Sequence, residues 1–293
     1  MRLPVFTGAA PSPRLPILTG VYSDLERPPL QEEPLRRALV RPGGFWTALW
    51  LRQRTGSTNA DATAAARDGA AEGLVVVAEQ QDAGRGRLDR GWVSPPRAGL
   101  TFSVLLRPSG VGVQRRGWLP LLAGVALTRA VRRLGEVEAM LKWPNDLLLG
   151  PGRRKAAGLL AEVAGDAVVL GIGLNVTTRA GELPRPDATS LAIEGAACTD
   201  RDTLLRVILR ELAGDYQMWR DAGGDPEASG LRAAYAESCD TLGRRVTVQL
   251  PAQESLVGEA VDIDTDGRLV VDPDGGGQPV PVAAGDVIHA RPA

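Results

Sequence analysis

LVVVAEQQDAGRGRLDRGWVSPPRAGLTFSVLL, running from Leu74 to Leu106, places two apolar runs on either side of a Gly/Arg-rich segment. Leu74–Ala78 is a short β-branched run and reads as a buried strand; Leu100–Leu106 reads as a second. Between them Gly84 and Gly86 alternate with Arg85 and Arg87, Arg90 follows, and Trp92 closes the segment. Glycine lets backbone approach a ligand closely. Arginine presents a fixed fork of donors suited to carboxylate or phosphate. The segment therefore reads as a cationic loop on a rigid strand frame, able to wrap an anionic ligand, with Trp92 placed to cover an aromatic or apolar group. By composition alone the same run also suits an exposed basic loop or a nucleic-acid contact.

Working outward, Thr58-Asn-Ala-Asp61 fits a helix capping box, an alanine-rich stretch follows to Arg67, and Gly69 lies where the helix should stop. On the other side, Leu119, Leu122, Ala123, Ala126, Leu127, Ala130 and Leu134 recur at helical spacing and give a core-facing helix across roughly 117–134. Ala139–Lys142 with Leu147–Leu149 beyond a break, Ala157–Val163 and Ala167–Gly173 are strand candidates. The short polar link between the last two favours a hairpin. Arg201–Arg220 and Leu231–Ser238 read as helices. After Gly243 the pattern changes to four short strands: Arg245–Leu250, Leu256–Asp264, Arg268–Val271 and Val280–Val282, with Asp266-Gly267 as a tight turn. The fold class that follows is α+β, a mixed central sheet with flanking helices and a small C-terminal β-barrel. Prolines crowd residues 1–44 and deny backbone donors to helix or sheet, although Leu35–Val40 suits one helical turn or two. The organisation is thus a Pro-rich, partly disordered segment over 1–44, extended or disordered through residue 30; a main α+β domain over 45–241; and a β domain over 242–293.

Composition excludes several chemistries. The chain has 293 residues, 44% of them hydrophobic, and a formal net charge of −1, which gives no global reason to expect nucleic acid or membrane as partner. Its one histidine, His289, lies near the end, so Ser-His-Asp or Cys-His catalysis is improbable. Cys198 and Cys239 are far apart, which argues against a zinc site or disulfide and fits a reducing cytoplasm. The longest mostly apolar run, Leu119 to Thr128, is too short to span a bilayer. The proline-broken N-terminus lacks a signal-peptide core.

Four further segments carry polar groups at element ends. Lys142-Trp-Pro-Asn145-Asp146 interrupts an apolar strand, and Pro144 forces a bend there, so these groups face either solvent or a cleft. Lys155 precedes a strand beginning near Ala157, either as a solvated strand end or as a ligand contact, and Gly158 suits close backbone approach. Asn175 ends the run Gly171–Asn175 as a turn former or a contact. Ser57-Thr58-Asn59 opens a helix, whose free N–H groups can both cap and bind.

The order of these segments resembles a biotin protein ligase. The GRGR and KWPND segments in this order carry the resemblance, which runs from about residue 45 to the C-terminus. It implies a catalytic domain like those of class II aminoacyl-tRNA synthetases and biotin ligases, with an SH3-like tail. It implies ATP-dependent formation of biotinyl-5′-AMP, then transfer to a lysine of a biotin carboxyl carrier protein of a biotin-dependent carboxylase. The cofactors would be biotin as substrate, ATP and Mg²⁺. By resemblance Ser57, Thr58, Asn59, Gln81, Arg85, Gly86, Arg87 and Lys155 contact biotin, with Lys155, Arg87 and Arg85 the catalytic cations. Arg90, Trp92, Lys142, Asn145 and Asn175 contact the nucleotide, and Asp146 activates the acceptor lysine. Metal ligands are not assigned.

Two features depart from the family pattern. Leu88-Asp89 fills the loop where a more basic or glycine-containing pair is common. No winged helix is recognisable in the N-terminal segment, so a ligase without DNA binding is expected, in the cytoplasm, with a homodimer through sheet edges compatible. The rivals are a ligase of the same fold acting on lipoate or an octanoyl group, a nucleic-acid-binding regulator and a biotin sensor. The Gly/Arg loop is expected to move when empty and to order when loaded. Limited proteolysis should therefore slow within residues 83–92 when biotin and ATP are both added; identical cleavage kinetics with and without them would refute that closure.

Overall fold

The computed structural model describes residues 27–87, 90–249, 255–283 and 286–289, the last four by their backbone alone. The strands flanking the Gly/Arg loop, β2 (Leu74–Ala78) and β3 (Gly99–Leu106), lie within a seven-stranded sheet. β1 (Ala48–Arg52) forms one edge and pairs with β2 in parallel. Then come β4 (Ala139–Lys142), β5 (Asp146–Leu149), β6 (Arg154–Ala164) and β7 (Ala167–Asn175), all antiparallel, giving the order β1-β2-β3-β7-β6-β5-β4. The parallel β1–β2 pair makes an otherwise antiparallel sheet mixed.

The central strands β2, β3 and β7 are buried on both faces, so their side chains alternate between two cores. Val75, Val77, Phe102 and Val104 enter the larger core; Val76 and Leu105 enter a smaller one beneath α2 (Thr58–Arg67), with Ala62, Ala65 and Ala66. Small alanines let α2 lie close to the sheet. The larger core is covered by α1 (Glu32–Leu39), α3 (Trp118–Gly135), α4 (Arg201–Asp221) and α5 (Leu231–Ser238). Gly124 lets α3 approach β4, since a Cβ there would meet the Leu141 side chain at 3.1 Å.

The C-terminal unit is a five-stranded antiparallel sheet, order β11-β10-β9-β8-β12. Its strands are β8 (Arg245–Gln249), β9 (Ser255–Ile263), β10 (Leu269–Pro273), β11 (Val280–Val282) and β12 (Asp286–His289). The tip of its β9–β10 hairpin docks on the catalytic domain. Trp118 Nε1 donates to Thr265 O at 2.9 Å and Trp143 Nε1 donates to Gly267 O at 3.1 Å. Gly117 packs so closely that a Cβ would sit 2.5 Å from Asp266 O. Asp266-Gly267 forms the expected tight turn, with Gly267 at φ +82.

The structure corrects several expectations. Order does not begin at Phe45: residues 27–44 belong to the catalytic unit, because Leu30, Leu35 and Leu39 are buried in the larger core despite the surrounding prolines. Residues 1–26 lie outside the described residues. The edge strand β1 and the closing strand β12 were not anticipated. β1 is a short segment ending in an arginine, and only its parallel register with β2 makes it a strand. Helix α2 is capped by Ser57, whose Oγ accepts from Ala60 N, one residue before the expected Thr58. Thr58 is instead used elsewhere, as shown below. Lys155 lies inside β6 rather than ahead of it.

Trp143, fully inside the core yet bonded to the hairpin tip, ties the two units. Replacing it with alanine is expected to cost about 3–5 kcal/mol, and Trp143→Phe about 1–2 kcal/mol for the lost hydrogen bond and unpaired carbonyl. Urea unfolding measures both; a Trp143→Ala cost below 1 kcal/mol would show that the tip is held by other contacts.

Candidate functional site

Helix α2 begins against β3 and β7, and its first turn is a hydrogen-bonded network. Gln81 Oε1 accepts from Thr58 N at 2.7 Å and from Thr58 Oγ1 at 3.0 Å. Ser103 Oγ lies 2.8 Å from Thr58 Oγ1 and donates to Asn59 Oδ1 at 2.6 Å. Asn59 Nδ2 donates to Glu162 Oε2 at 2.6 Å, and Glu162 pairs with Arg85 Nη2 at 3.3 Å. Asn59 fits here because position 171 is glycine: a Cβ on Gly171 would fall 2.1 Å from Asn59 Oδ1. Ser57, Thr58, Asn59 and Ser103 are all buried. The network thus presents neutral donors and acceptors at one end and an arginine at the other.

The Gly/Arg segment folds as a tight hairpin. Trp92 N donates to Gly84 O at 2.9 Å, Gly86 N to Arg90 O at 2.6 Å, and Arg85 bridges Gly91. A Cβ at Gly84 would lie 2.3 Å from Trp92 O, so glycine is needed for the two arms to close. The Trp92 indole lies across Gly158 of β6 and Gly173 of β7, which are direct register partners. A Cβ on Gly173 would meet the ring at 2.3 Å. Leu88 and Asp89 lie outside the described residues.

Opposite the hairpin, the bend at Trp143-Pro144 returns the chain from β4 into β5. Asn145 does not hang free: its Nδ2 donates to Leu159 O and its backbone carbonyl accepts from Leu159 N, both at 2.9 Å. The register of β5 on β6 shifts between Leu147 and Leu148, leaving Ala156 as an extra residue. Lys155 Nζ lies 2.7 Å from Asp146 Oδ1. The segment after β7 bonds to the same strand end. Lys155 N donates to Asp187 O and Thr189 N to Lys155 O, both at 2.8 Å, while buried Asn175 donates to Thr189 O at 3.0 Å. Asn175 therefore anchors this segment. Arg185 and Asp187 form a bidentate pair on it, which holds the Asp187 carboxyl below the usual carboxylate range.

These pieces enclose a cavity of about 430 Å³. Thirteen of the fourteen expected residues line it: Ser57, Thr58, Asn59, Gln81, Arg85, Gly86, Arg87, Arg90, Trp92, Asn145, Asp146, Lys155 and Asn175. Lys142 is the exception. It is half-buried behind the wall, and it has no carboxylate within ion-pair distance among the described residues. Burial lowers its pKa, Lys155 adds to that, and Asp146 and Asp187 oppose it. Arg87 is similarly half-buried, and burial pulls its pKa down against the attraction of Asp146. The lining carries five cations (Arg85, Arg87, Arg90, Lys155, Arg185) against two carboxylates (Asp146, Asp187), although the chain as a whole is at −1. Sequence reasoning missed Arg185, Asp187, Ser103 and Glu162. The Arg-Pro-Asp run in a segment without periodicity was the one available signal for the first two. Among the described residues no group of three His, Cys, Asp or Glu could hold a metal ion, and no helix is long and apolar enough to cross a membrane.

Residues 51–177 match the biotin/lipoate A/B protein ligase family, and residues 241–290 match the biotin protein ligase C-terminal domain. The chain is 48% identical over 272 residues to the biotin--[acetyl-CoA-carboxylase] ligase of Mycobacterium tuberculosis, covering 92% of this chain and 98% of that one. This chain belongs to the biotin protein ligase family. It is also 32% identical to the bifunctional ligase/repressor BirA of Escherichia coli, over 69% of this chain and 63% of that protein. The solved biotin protein ligase from Aquifex aeolicus, in complex with biotin and ATP, superposes with a TM-score of 0.69 at 25% identity, covering 84% of this chain and all of that one. The α+β fold with a small C-terminal β unit is that of the biotin protein ligases.

The ammonium of Lys142 carries a testable cost. Its pKa is lower in the folded chain than the ordinary lysine value, so the unfolded chain binds more protons. The penalty is fully present below the folded pKa and fades as pH climbs through it toward the unfolded value. Lys142→Met should therefore raise the Tm of the ligand-free protein at pH 7 by about 2–4 °C, with the gain shrinking in alkaline buffer. Calorimetry across pH checks this; a destabilised variant at pH 7 would disprove the penalty.

Proposed function

We propose that this biotin protein ligase activates biotin with ATP and transfers it to a lysine of a biotin carboxyl carrier domain. The carrying observation is the cavity itself, whose neutral hydrogen-bonding end at Ser57, Thr58, Asn59 and Gln81 runs into a cationic end at Arg87, Lys155 and Arg185. A ureido ring is neutral and needs both donors and acceptors. A carboxylate meeting a triphosphate needs fixed positive charge to offset their repulsion and the charge that builds on the transferring phosphorus.

In the first step biotin's carboxylate oxygen attacks the α-phosphorus of ATP and pyrophosphate leaves, giving biotinyl-5′-AMP. We assign Lys155 to the carboxylate and α-phosphate, with Arg85, Gly86 and Arg87 holding the ligand from the hairpin. Arg90 and Trp92 serve the nucleotide side directly, Asn145 and Asn175 through the loops they anchor, and Lys142 only as a charge behind the cavity wall. Asp146 and Asp187 are the lining carboxylates that would hold Mg²⁺, which when bound would supply further charge neutralisation. In the second step the acceptor amine attacks the acyl carbon of the mixed anhydride and AMP leaves. Asp146 suits this step: once Lys155 turns to the anionic intermediate, its carboxylate is released to orient the incoming amine and take its proton. No protein nucleophile enters either step.

The carrier, a cytoplasmic location and a role without DNA binding belong to this proposal. Unpaired Cys198 and Cys239 support a reducing compartment. A homodimer through sheet edges stays compatible with it.

ATP–pyrophosphate exchange tests the reading directly. Exchange should require biotin and be unsupported by lipoate; exchange with lipoate alone would replace biotin as substrate. Lys155→Ala should lose exchange by about 10²-fold while remaining folded. A folded variant with near-normal exchange would remove Lys155 from the chemistry.

A further inference from the structure

The Pro-rich segment before α1 is bound into the protein where the two cavity loops are rooted. Arg27 is buried, and its guanidinium makes two bonds to Glu182: Nη1 to Oε1 at 3.1 Å and Nη2 to Oε2 at 2.6 Å. Nη2 also donates to Thr177 O at 2.9 Å. Glu182 in turn accepts from Arg179 N at 2.8 Å, so its carboxylate closes the turn that leads to Arg185 and Asp187. The guanidinium holds the Glu182 carboxyl below the usual range. Next to Arg27, Pro28 O accepts from Arg201 Nη2 at 2.6 Å and Leu30 N donates to Glu79 Oε1 at 2.6 Å. Buried Arg201 joins Glu79 to Gly99 O, and Arg97 N donates to Glu79 O. Glu79 and Gly99 bracket the Gly/Arg excursion.

We infer that Arg27 is a positioning residue for the nucleotide half of the site: its ion pair with Glu182 holds the 177–189 segment so that Arg185 and Asp187 stay at the cavity beside Lys155. It touches no substrate. This inference rests on the functional reading above, in which the cationic end of the cavity takes the phosphates. The physical argument is one of confinement. The segment from Thr177 to Thr189 contains no strand and has only a short 3₁₀ turn at Ala180–Glu182. Its far end is fixed through Thr189, Asp187 and Lys155. Its near end is fixed at Ala98, which accepts from Val176 N and Thr177 N. Between those ends, Arg27 supplies the charged, buried tether. A bidentate arginine–carboxylate pair fixes direction as well as distance, which lysine reproduces poorly. The biotin end, built on α2, Gln81 and Ser103, does not depend on this tether.

The test is steady-state ATP–pyrophosphate exchange on the full chain, with KM for ATP and for biotin measured separately. Wild-type exchange that proves independent of biotin would sink the functional reading and leave the tether untested by this assay alone, so thermal shift with ATP alone and with biotin alone is run on every variant. Arg27→Ala is expected to raise KM for ATP about five- to tenfold and to weaken the ATP-induced shift, with the biotin values within about twofold. Glu182→Gln should act in the same direction, and the double variant Arg27→Ala/Glu182→Gln should be no worse than Arg27→Ala alone, because Arg27→Ala already removes the Arg27–Glu182 pair. Arg27→Lys should recover part of the loss. Should Arg27→Ala not fold, Glu182→Gln carries the test, since Glu182 is partly exposed at the surface. Variants that lose thermal stability yet keep both KM values, or that weaken ATP and biotin equally, would overturn the inference and leave Arg27 a structural strap.

Discussion

The register of β3, β7 and β6 is the constraint on which the site depends. Ser103 pairs with Gly171 and Gly171 with Leu160; Thr101 pairs with Gly173 and Gly173 with Gly158. Side chains alternate along a strand, so Thr101, Ser103, Gly158, Leu160, Glu162, Gly171, Gly173 and Asn175 share the face toward α2. Three glycines on that face leave room for Asn59 and for the Trp92 ring. A slip of one residue would turn Phe102, Leu159 and Ile172 onto the cavity and bury the polar set in the main core. The large apolar residues of the opposite face, held against α3 and α4, prevent that slip. Hydrophobic burial on one side of the sheet thus fixes the chemistry on the other.

Charge in the cavity is held mostly as exchangeable pairs. Lys155 with Asp146, Arg85 with Glu162 and Arg185 with Asp187 each satisfy a cation in the empty protein. An incoming carboxylate or phosphate competes for the cation and leaves the acid to be resolvated or to take another positive group. Arg87 and Lys142 are different. Both are half-buried without a protein ion pair among the described residues, and burial pushes each toward its neutral form. A desolvated, unpaired cation is unfavourable on its own and becomes favourable once an anion arrives. Part of the cost of binding two anions side by side is therefore already present in the folded chain.

Much of this was legible in the sequence because local chemistry and local structure coincide there. Leu74–Ala78 and Leu231–Ser238 have the bounds their apolar patterns suggest, and the GRGR and KWPND segments stand at strand ends where polar residues break apolar runs. What was not legible depends on long-range partners. β1 is a strand through parallel pairing with β2, and the helical turn expected near Leu35–Val40 starts earlier, at Glu32, and joins the main core through Leu35 and Leu39. Ser103 and Glu162 sit inside strand patterns that give no reason to single them out. Asn145 and Asn175 were singled out as ligand contacts and are found lining the cavity as backbone anchors, because an amide that bonds neighbouring backbone looks the same in sequence as one that awaits a ligand.

Two segments far apart in sequence, Arg27–Leu30 and the β9–β10 hairpin, brace the loops around one cavity. The Arg27–Leu30 segment reaches the roots of the Gly/Arg hairpin and the segment carrying Arg185, while the β9–β10 hairpin tip, through Gly267, supports Trp143 one residue before the turn that carries Asn145 and Asp146. Loops that must close around a reactive anhydride need roots that do not move with them. Short loops cannot supply that stiffness from within, because they have few buried side chains and little internal hydrogen bonding. In this chain the stiffness comes from residues far away in sequence that are buried at the loop roots.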